Sequence, residues 1–292
     1  MPDKSVESRK KKEGQITLIM RRLRRNRVAM VGLCIILILV IVAILAPVLV
    51  PYKSVTEMDM KNMYAKPSVR HIFGCDDLGR DILSRLLYGS RISLSMGILA
   101  TLFAATTAII LGAIVGYYGG ITDNIIMRLI DIFQAIPGML LAIAISAALG
   151  PGFFHTILAL AIGAMPMNVR LLRGSILSIR NQEYIEAAEK INCSKLRIML
   201  VHILPNSVSP LIVSITMGIG NTILTAAGLS YIGLGVQPPD PEWGAMLTAG
   251  KGVITKYPHL CIFPGLCIMV VVLAFNMLGD GLRDAMDPKL KN

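Results

Sequence analysis

Six stretches of this chain run for roughly twenty residues with almost no charge, a pattern that leaves a lipid bilayer as the natural place to fold. A helix rises about 1.5 Å per residue, so about 20 apolar residues cross the hydrocarbon. The stretches are 28–50, a segment within 92–122, 125–149, 153–172, a segment within 210–236, and 260–279. Hydrophobic residues make up 54% of the chain and charged residues 16%, against about a quarter charged in soluble domains. The fold class expected is an all-α membrane protein with six transmembrane helices. Stretch 28–50 is uncharged throughout and longer than the roughly 7–15 residues of a signal-peptide core, so it reads as an anchor rather than a cleaved leader.

The net charge of +11 belongs largely to one end. Ten of the 29 basic residues lie between Lys4 and Arg27, immediately before the first apolar stretch. A basic flank of that kind holds the N-terminus on the cytoplasmic side and meets anionic lipid headgroups. It comes with no nucleic-acid recognition motif, so no nucleic-acid partner is expected. With the N-terminus inside, the inner segments carry 20 basic residues and the outer segments nine, which places both termini in the cytoplasm. The plan is a basic tail over 1–27, an anchor over 28–50, an extracytoplasmic segment over 51–91, a transmembrane domain over 92–282 with a cytoplasmic loop at 173–209, and a tail over 283–292.

Within the spans, Ala100, Ala104, Ala108, Gly112, Gly116 and Gly120 recur every fourth residue, a stripe that lets another helix approach closely. Packing within the bundle and packing against another subunit both fit it. Asn124, Arg128, Asp131 and Gln134 share a face of the third span. Arg128 and Asp131 are spaced to pair at i, i+3; a role along a transport path is the alternative. Pro47, Pro137, Pro166, Pro210 and Pro264 lie in or near apolar runs and can bend them. Asp280, Arg283, Asp284 and Asp287 are spaced for mutual pairing at the last span's inner end.

Loop 173–209 is polar yet carries helical periodicity. Asn181 is placed to cap a first helix, with Glu183 and Glu186 in its opening turns and Tyr184, Ala187, Ala188 and Ile191 as its apolar face. Asn192 tolerates the left-handed backbone that ends a helix, and Ser194 is placed to cap the next. Leu196, Met199, Leu200 and Ile203 would form the second apolar face. Pro205 keeps that helix from running on into the fifth span. The expectation is a helix-turn-helix knob, with small Ala187 and Ala188 allowing another surface to come close.

In sequence, Glu186-Ala187-Ala188, then Asn192, then His202-Ile203-Leu204-Pro205 resembles the EAA loop of bacterial binding-protein-dependent ABC importer permeases. Asn192 stands where that family usually has Gly. Three more segments are similar to dipeptide and oligopeptide permeases of the "C" type, within the peptide/nickel group. One runs from Phe73 through Gly74, Cys75, Asp76, Asp77, Leu78, Gly79 and Arg80 to Asp81, continuing with Ser84 to Gly89. Cys75 replaces the usual Thr. The others are Pro238-Pro239-Asp240-Pro241-Glu242-Trp243-Gly244 and the run from Asn276 to Pro288.

The resemblance implies a type I ABC importer transmembrane domain beside a second, homologous permease, with two cytoplasmic ATPase subunits below and an extracytoplasmic substrate-binding protein above. Glu186, Ala187, Ala188, Asn192, His202, Leu204 and Pro205 would form the ATPase-coupling loop. ATP and Mg would sit on the partner ATPases and no cofactor on this chain. Dipeptides or oligopeptides are the implied cargo, with nickel or metal-chelator complexes the alternative.

Other chemistries find little footing. The stretch from Gly244 to Gly252 imitates a phosphate loop, but five residues rather than four precede Gly250-Lys251, and Gly252 stands where Ser or Thr is required. The five cysteines are odd in number and contain no C-x-x-C pair, and His71, His155, His202 and His259 are far apart, so neither disulfide framework nor metal site is expected. The His202 side chain is expected to make structural hydrogen bonds in the loop rather than move protons. An ion-coupled transporter would carry mid-membrane ionisable residues and internal repeats, and an intramembrane enzyme a nucleophile with its base or a metal-ligand set. None of these signatures stands out, and no catalytic residue is assigned.

Overall fold

The computed structural model describes residues 15–287; the first part of the basic tail and the final residues, including Pro288, lie outside that range. The described chain is helical, and its one β-type pairing is an isolated bridge between Cys75 and Asp81. The principal helices are α1 (Gln15–Arg25), α2 (Arg27–Leu49), α3 (Ile82–Tyr118), α4 (Gly120–Gln134), α5 (Gly138–Leu149), α6 (Phe153–Arg180), α7 (Glu183–Lys190), α8 (Ser209–Tyr231), α9 (Trp243–Gly250) and α10 (His259–Met286). Five of these, α2, α3, α6, α8 and α10, are each long and apolar enough to cross a membrane.

The sixth expected span is not a straight helix. Stretch 125–149 is divided between α4 and α5, which meet at 85°. Pro137 turns the chain there, with φ −52° and ψ 131°, because its ring excludes the helical hydrogen bond and biases the preceding residue away from helix. Pro47, Pro166 and Pro264 instead lie inside continuous helices, and Pro210 occupies the first turn of α8, where its missing N–H costs nothing. The fourth stretch, 153–172, is part of the 28-residue α6. Its C-terminal end continues well past the apolar stretch.

α3 and α6 form the centre of the bundle. Ala104, Ala108, Gly112 and Gly116 are buried, and a Cβ added at Gly112 would stand 3.1 Å from the Leu172 side chain, at Gly116 2.7 Å from Ile176. The small residues therefore face α6 within the same chain. Gly120 lies beyond the stripe, exposed at the start of α4 with φ +57°. α2 is peripheral and lays Ala29, Gly32, Ala43 and Ala46 inward; at Gly32 a Cβ would come within 2.7 Å of the Ala274 carbonyl oxygen of α10. Part of the expected tail is the helix α1, whose Leu23 packs with Ala29 and Ala285. Asn26 then caps α2 by accepting from the Ala29 N–H at 3.1 Å, and its Nδ2 donates to Asp284 at 3.5 Å.

The segment between α2 and α3 folds as a tight scaffold around a buried carboxylate. Asp76 accepts from Arg80 Nε at 2.7 Å and from the backbone N–H groups of Leu78 and Arg80, both at 2.9 Å, while Arg85 Nε lies 3.4 Å away. Two cations and two amides satisfy an anion that would otherwise be prohibitively costly to bury. Gly74 and Gly79 take φ +80° and +75° at the turns, and Asp81 caps α3 by accepting from the Ser84 N–H at 2.8 Å. Phe73 stacks on Phe263 and Tyr64 on Tyr257, fastening the scaffold to the start of α10. The phosphate-loop imitation is occupied by α9 and a following turn. Glu242, buried, caps α9 by accepting from the N–H groups of Gly244 and Ala245 and from Ser93 Oγ.

Candidate coupling site

α6 ends at Arg180, and the chain turns through Asn181 and Gln182 into α7. Gln182, not Asn181, holds the cap position, and no side chain caps the helix. Glu183 and Glu186 do lie in its first turn, where the free N–H groups favour an anion.

α7 ends in a left-handed turn. Asn192 has φ +56°; its N–H donates to the Glu189 carbonyl at 3.0 Å, and the Cys193 N–H donates to the Ala188 carbonyl at 3.1 Å. These two bonds make a Schellman cap, closed by Cys193 packing in the same apolar cluster as Ala188. Asparagine thus fills a position where glycine is the commonest solution.

After the cap the chain is helical over 195–207, in three pieces: Lys195–Arg197, a π-helical turn Ile198–Ile203, and Leu204–Ser207. Ser194 starts it through its backbone carbonyl, which accepts from the Ile198 N–H, with no side-chain capping bond. The π turn changes which side chains point inward. A five-residue repeat puts Ile198 and Ile203 on one side, and both are buried, whereas Leu196 and Leu200 are exposed. In α7 the inward residues are Ile185 and Ala188, while Tyr184, Ala187 and Ile191 face out. The expected apolar faces are therefore each rotated, and part of each is left uncovered.

Ile185, Ala188, Ile198 and Ile203 join Leu172 and Ile176 of α6, Ala113 and Tyr117 of α3 and Leu211 of α8 in one core. The knob is thereby fixed to three spans at once. Pro205 is exposed, Leu204 packs at the core's edge, and the His202 carbonyl accepts from Asn206 Nδ2 at 2.7 Å. On the outer surface, Tyr184, Ala187, Ile191, Leu196, Leu200 and Val201 are exposed beside Glu183, Glu186 and Glu189. Ile191, 80% exposed, is the most prominent.

Ion pairs tie the base of the knob to the bent helix. Arg173 of α6 donates to Asp123 of α4 through Nε at 2.6 Å and through Nη2, a bidentate arrangement that also fixes orientation. Arg170 donates to Asp131 at 2.6 Å. That replaces the Arg128–Asp131 pairing expected from spacing: Asp131 pairs across to α6, and Arg128 is exposed. Asp123 was not singled out from sequence. Its signal was a lone carboxylate at the start of an apolar helix, with its arginine 50 residues away.

Comparison with known proteins agrees with this architecture. Residues 108–292 match the family described as binding-protein-dependent transport system inner membrane component, and residues 14–67 match the N-terminal TM domain of oligopeptide transport permease C. The chain belongs to this inner-membrane permease family of ABC importers and is a multi-pass membrane protein. It is 48% identical over 271 residues, 93% of this chain and 89% of the relative, to the glutathione transport system permease protein GsiD of Escherichia coli O6:K15:H31, and equally to that of Shigella boydii serotype 4. Among solved structures it resembles the MetNI methionine ABC transporter, with a TM-score of 0.57 at 18% identity over 70% of this chain and 98% of that one.

Proposed function

We propose that this permease imports short peptides into the cytoplasm, and that its two-faced knob is where ATPase subunits drive it. The observation that carries the coupling role is the division of the knob. One face is built into the core shared by α3, α6 and α8, while Tyr184, Ala187, Ile191 and Leu196 lie uncovered on the other. A surface rigidly joined to three spans and unoccupied outside is suited to transmit a push. ATP can bias the spans only if the ATPases bind the knob differently in two conformations.

Relatives named as glutathione permeases support a peptide cargo, since glutathione is itself a short peptide. The family supports the rest of the proposed assembly, a second permease alongside, two ATPases carrying ATP and Mg and a binding protein outside; the excess of basic residues on the inner segments supports both termini in the cytoplasm. Purification in mild detergent tests the reading. An ATPase should co-purify, and its hydrolysis should rise with a binding protein loaded with short peptide over the empty one. Failure of any ATPase to co-purify would refute the coupling role; stimulation by metal-chelate-loaded protein alone would refute the peptide cargo.

A further inference from the structure

Hydrogen-bonding side chains that carry no charge gather halfway along the spans. Thr101 lies midway along α3, Asn168 midway along α6 and Asn221 midway along α8. With Ser214, Thr222 and Thr225 they line a groove of about 290 Å³ whose lining includes no ionisable residue. The bend between α4 and α5 shapes its edge. Gly138 and Gly163 meet backbone to backbone there, a Cβ on Gly163 standing 3.1 Å from the Gly138 carbonyl oxygen.

Some of these groups satisfy one another. Ser214 Oγ donates to Asn168 Oδ1 at 3.0 Å, Thr101 Oγ1 to Thr222 Oγ1 at 3.1 Å, and Thr225 Oγ1 to the Asn221 carbonyl at 2.8 Å. The Asn221 carboxamide is different. It is exposed and has no hydrogen-bond partner among the described residues. At mid-membrane depth lipid offers it none, and an unmet carboxamide in hydrocarbon is costly. Its face must meet water, cargo or another protein. Turned by roughly 60° on the same helix, Leu224 lacks this character: with Tyr231 it borders a separate cleft lined by Leu247, Ile268 and Leu273.

We propose that this groove is the chain's wall of the translocation path and that it holds cargo by neutral hydrogen bonds alone. The assignment rests on the importer reading above and adds the residues and the chemistry of the path. Carboxamides both donate and accept, and so do hydroxyls. They can therefore pair with the N–H and the C=O of any peptide backbone without regard to its side chains. Lacking fixed charge, the wall offers no deep electrostatic well, and conduction needs binding weak enough to release.

The test uses the whole membrane complex with a membrane-impermeant methanethiosulfonate reagent, and locates modification by mass spectrometry so that native cysteines do not interfere. Asn221→Cys should react at least about tenfold faster than Leu224→Cys, because only a hydrated thiol ionises and the thiolate is the reactive form. Modified Asn221→Cys complexes should lose uptake. Thr225→Cys, on the same face, gives a second reading should Asn221→Cys fail to assemble. Equal rates at the two faces, or undiminished uptake after modification, would overturn the assignment. The cargo reading fails separately, if the unmodified complex takes up metal chelates and no peptide.

Discussion

At the scale of single residues, two adjacent carboxylates outside the spans are in opposite circumstances. Asp76 is buried between Arg80 and Arg85, so Asp76→Ala leaves buried arginines without their anion. The expected cost is about 3–5 kcal/mol, read as a large fall in the thermal unfolding midpoint of the detergent-solubilised complex. Asp77 has its pKa raised, first by burial and then by the charge of Asp76, with Arg80 only partly offsetting them. A carboxylate whose folded pKa lies above its unfolded value destabilises the fold when ionised, and that penalty is relieved as pH falls through the folded value. Asp77→Asn should therefore unfold at or above the wild-type temperature at pH 7, with the difference vanishing below the ordinary carboxylate range near about pH 4. A loss at pH 7 comparable to that of Asp76→Ala would contradict this. Burial likewise pushes the neighbouring Cys75 thiol up to about 11, so a maleimide should leave it unlabelled in the folded complex at pH 7 and label it once unfolded.

At the scale of elements, Asn192 separates the requirements of backbone and side chain. Its left-handed φ of +56° suits glycine and penalises a β-branched residue. Asn192→Gly should keep uptake, whereas Asn192→Val should cost about 1–2 kcal/mol locally and loosen the knob, seen as faster hydrogen exchange over 183–203. What the sequence showed of this region and what it hid have one physical root. The helix-turn-helix and its stop at Asn192 follow from local preferences, and both were legible. The direction of each apolar face was not, because the π turn at Ile198–Ile203 and the packing of Ile185 are settled by the tertiary core. Pro137 was legible as a bend; that it produces an 85° break while Pro166 produces none depends on the extended backbone at Pro137 and the contact of Gly138 with Gly163. The hydroxyl and carboxamide face of Ser214, Asn221 and Thr225 could have been read from its spacing of seven and four residues. It carries no charge, and charge is the plainest mark of a functional residue within a span.

At the scale of the molecule, apolar length alone marked the class of fold, since no soluble core needs six such stretches. The site depends on long-range placement. Arg173 with Asp123 and Arg170 with Asp131 join α6 to the bent pair, and the knob's core joins α3, α6 and α8, so a displacement of the knob reaches both sides of the midspan groove. If the knob transmits ATPase motion, its uncovered face meets an ATPase. A photo-crosslinking side chain placed at Ala187, in the complex assembled in native membranes, tests it most directly. The expected product is an adduct with the ATPase subunit that is absent when the same group is placed at exposed Val48 of α2. Adducts at Ala187 only with lipid or with another permease would contradict it.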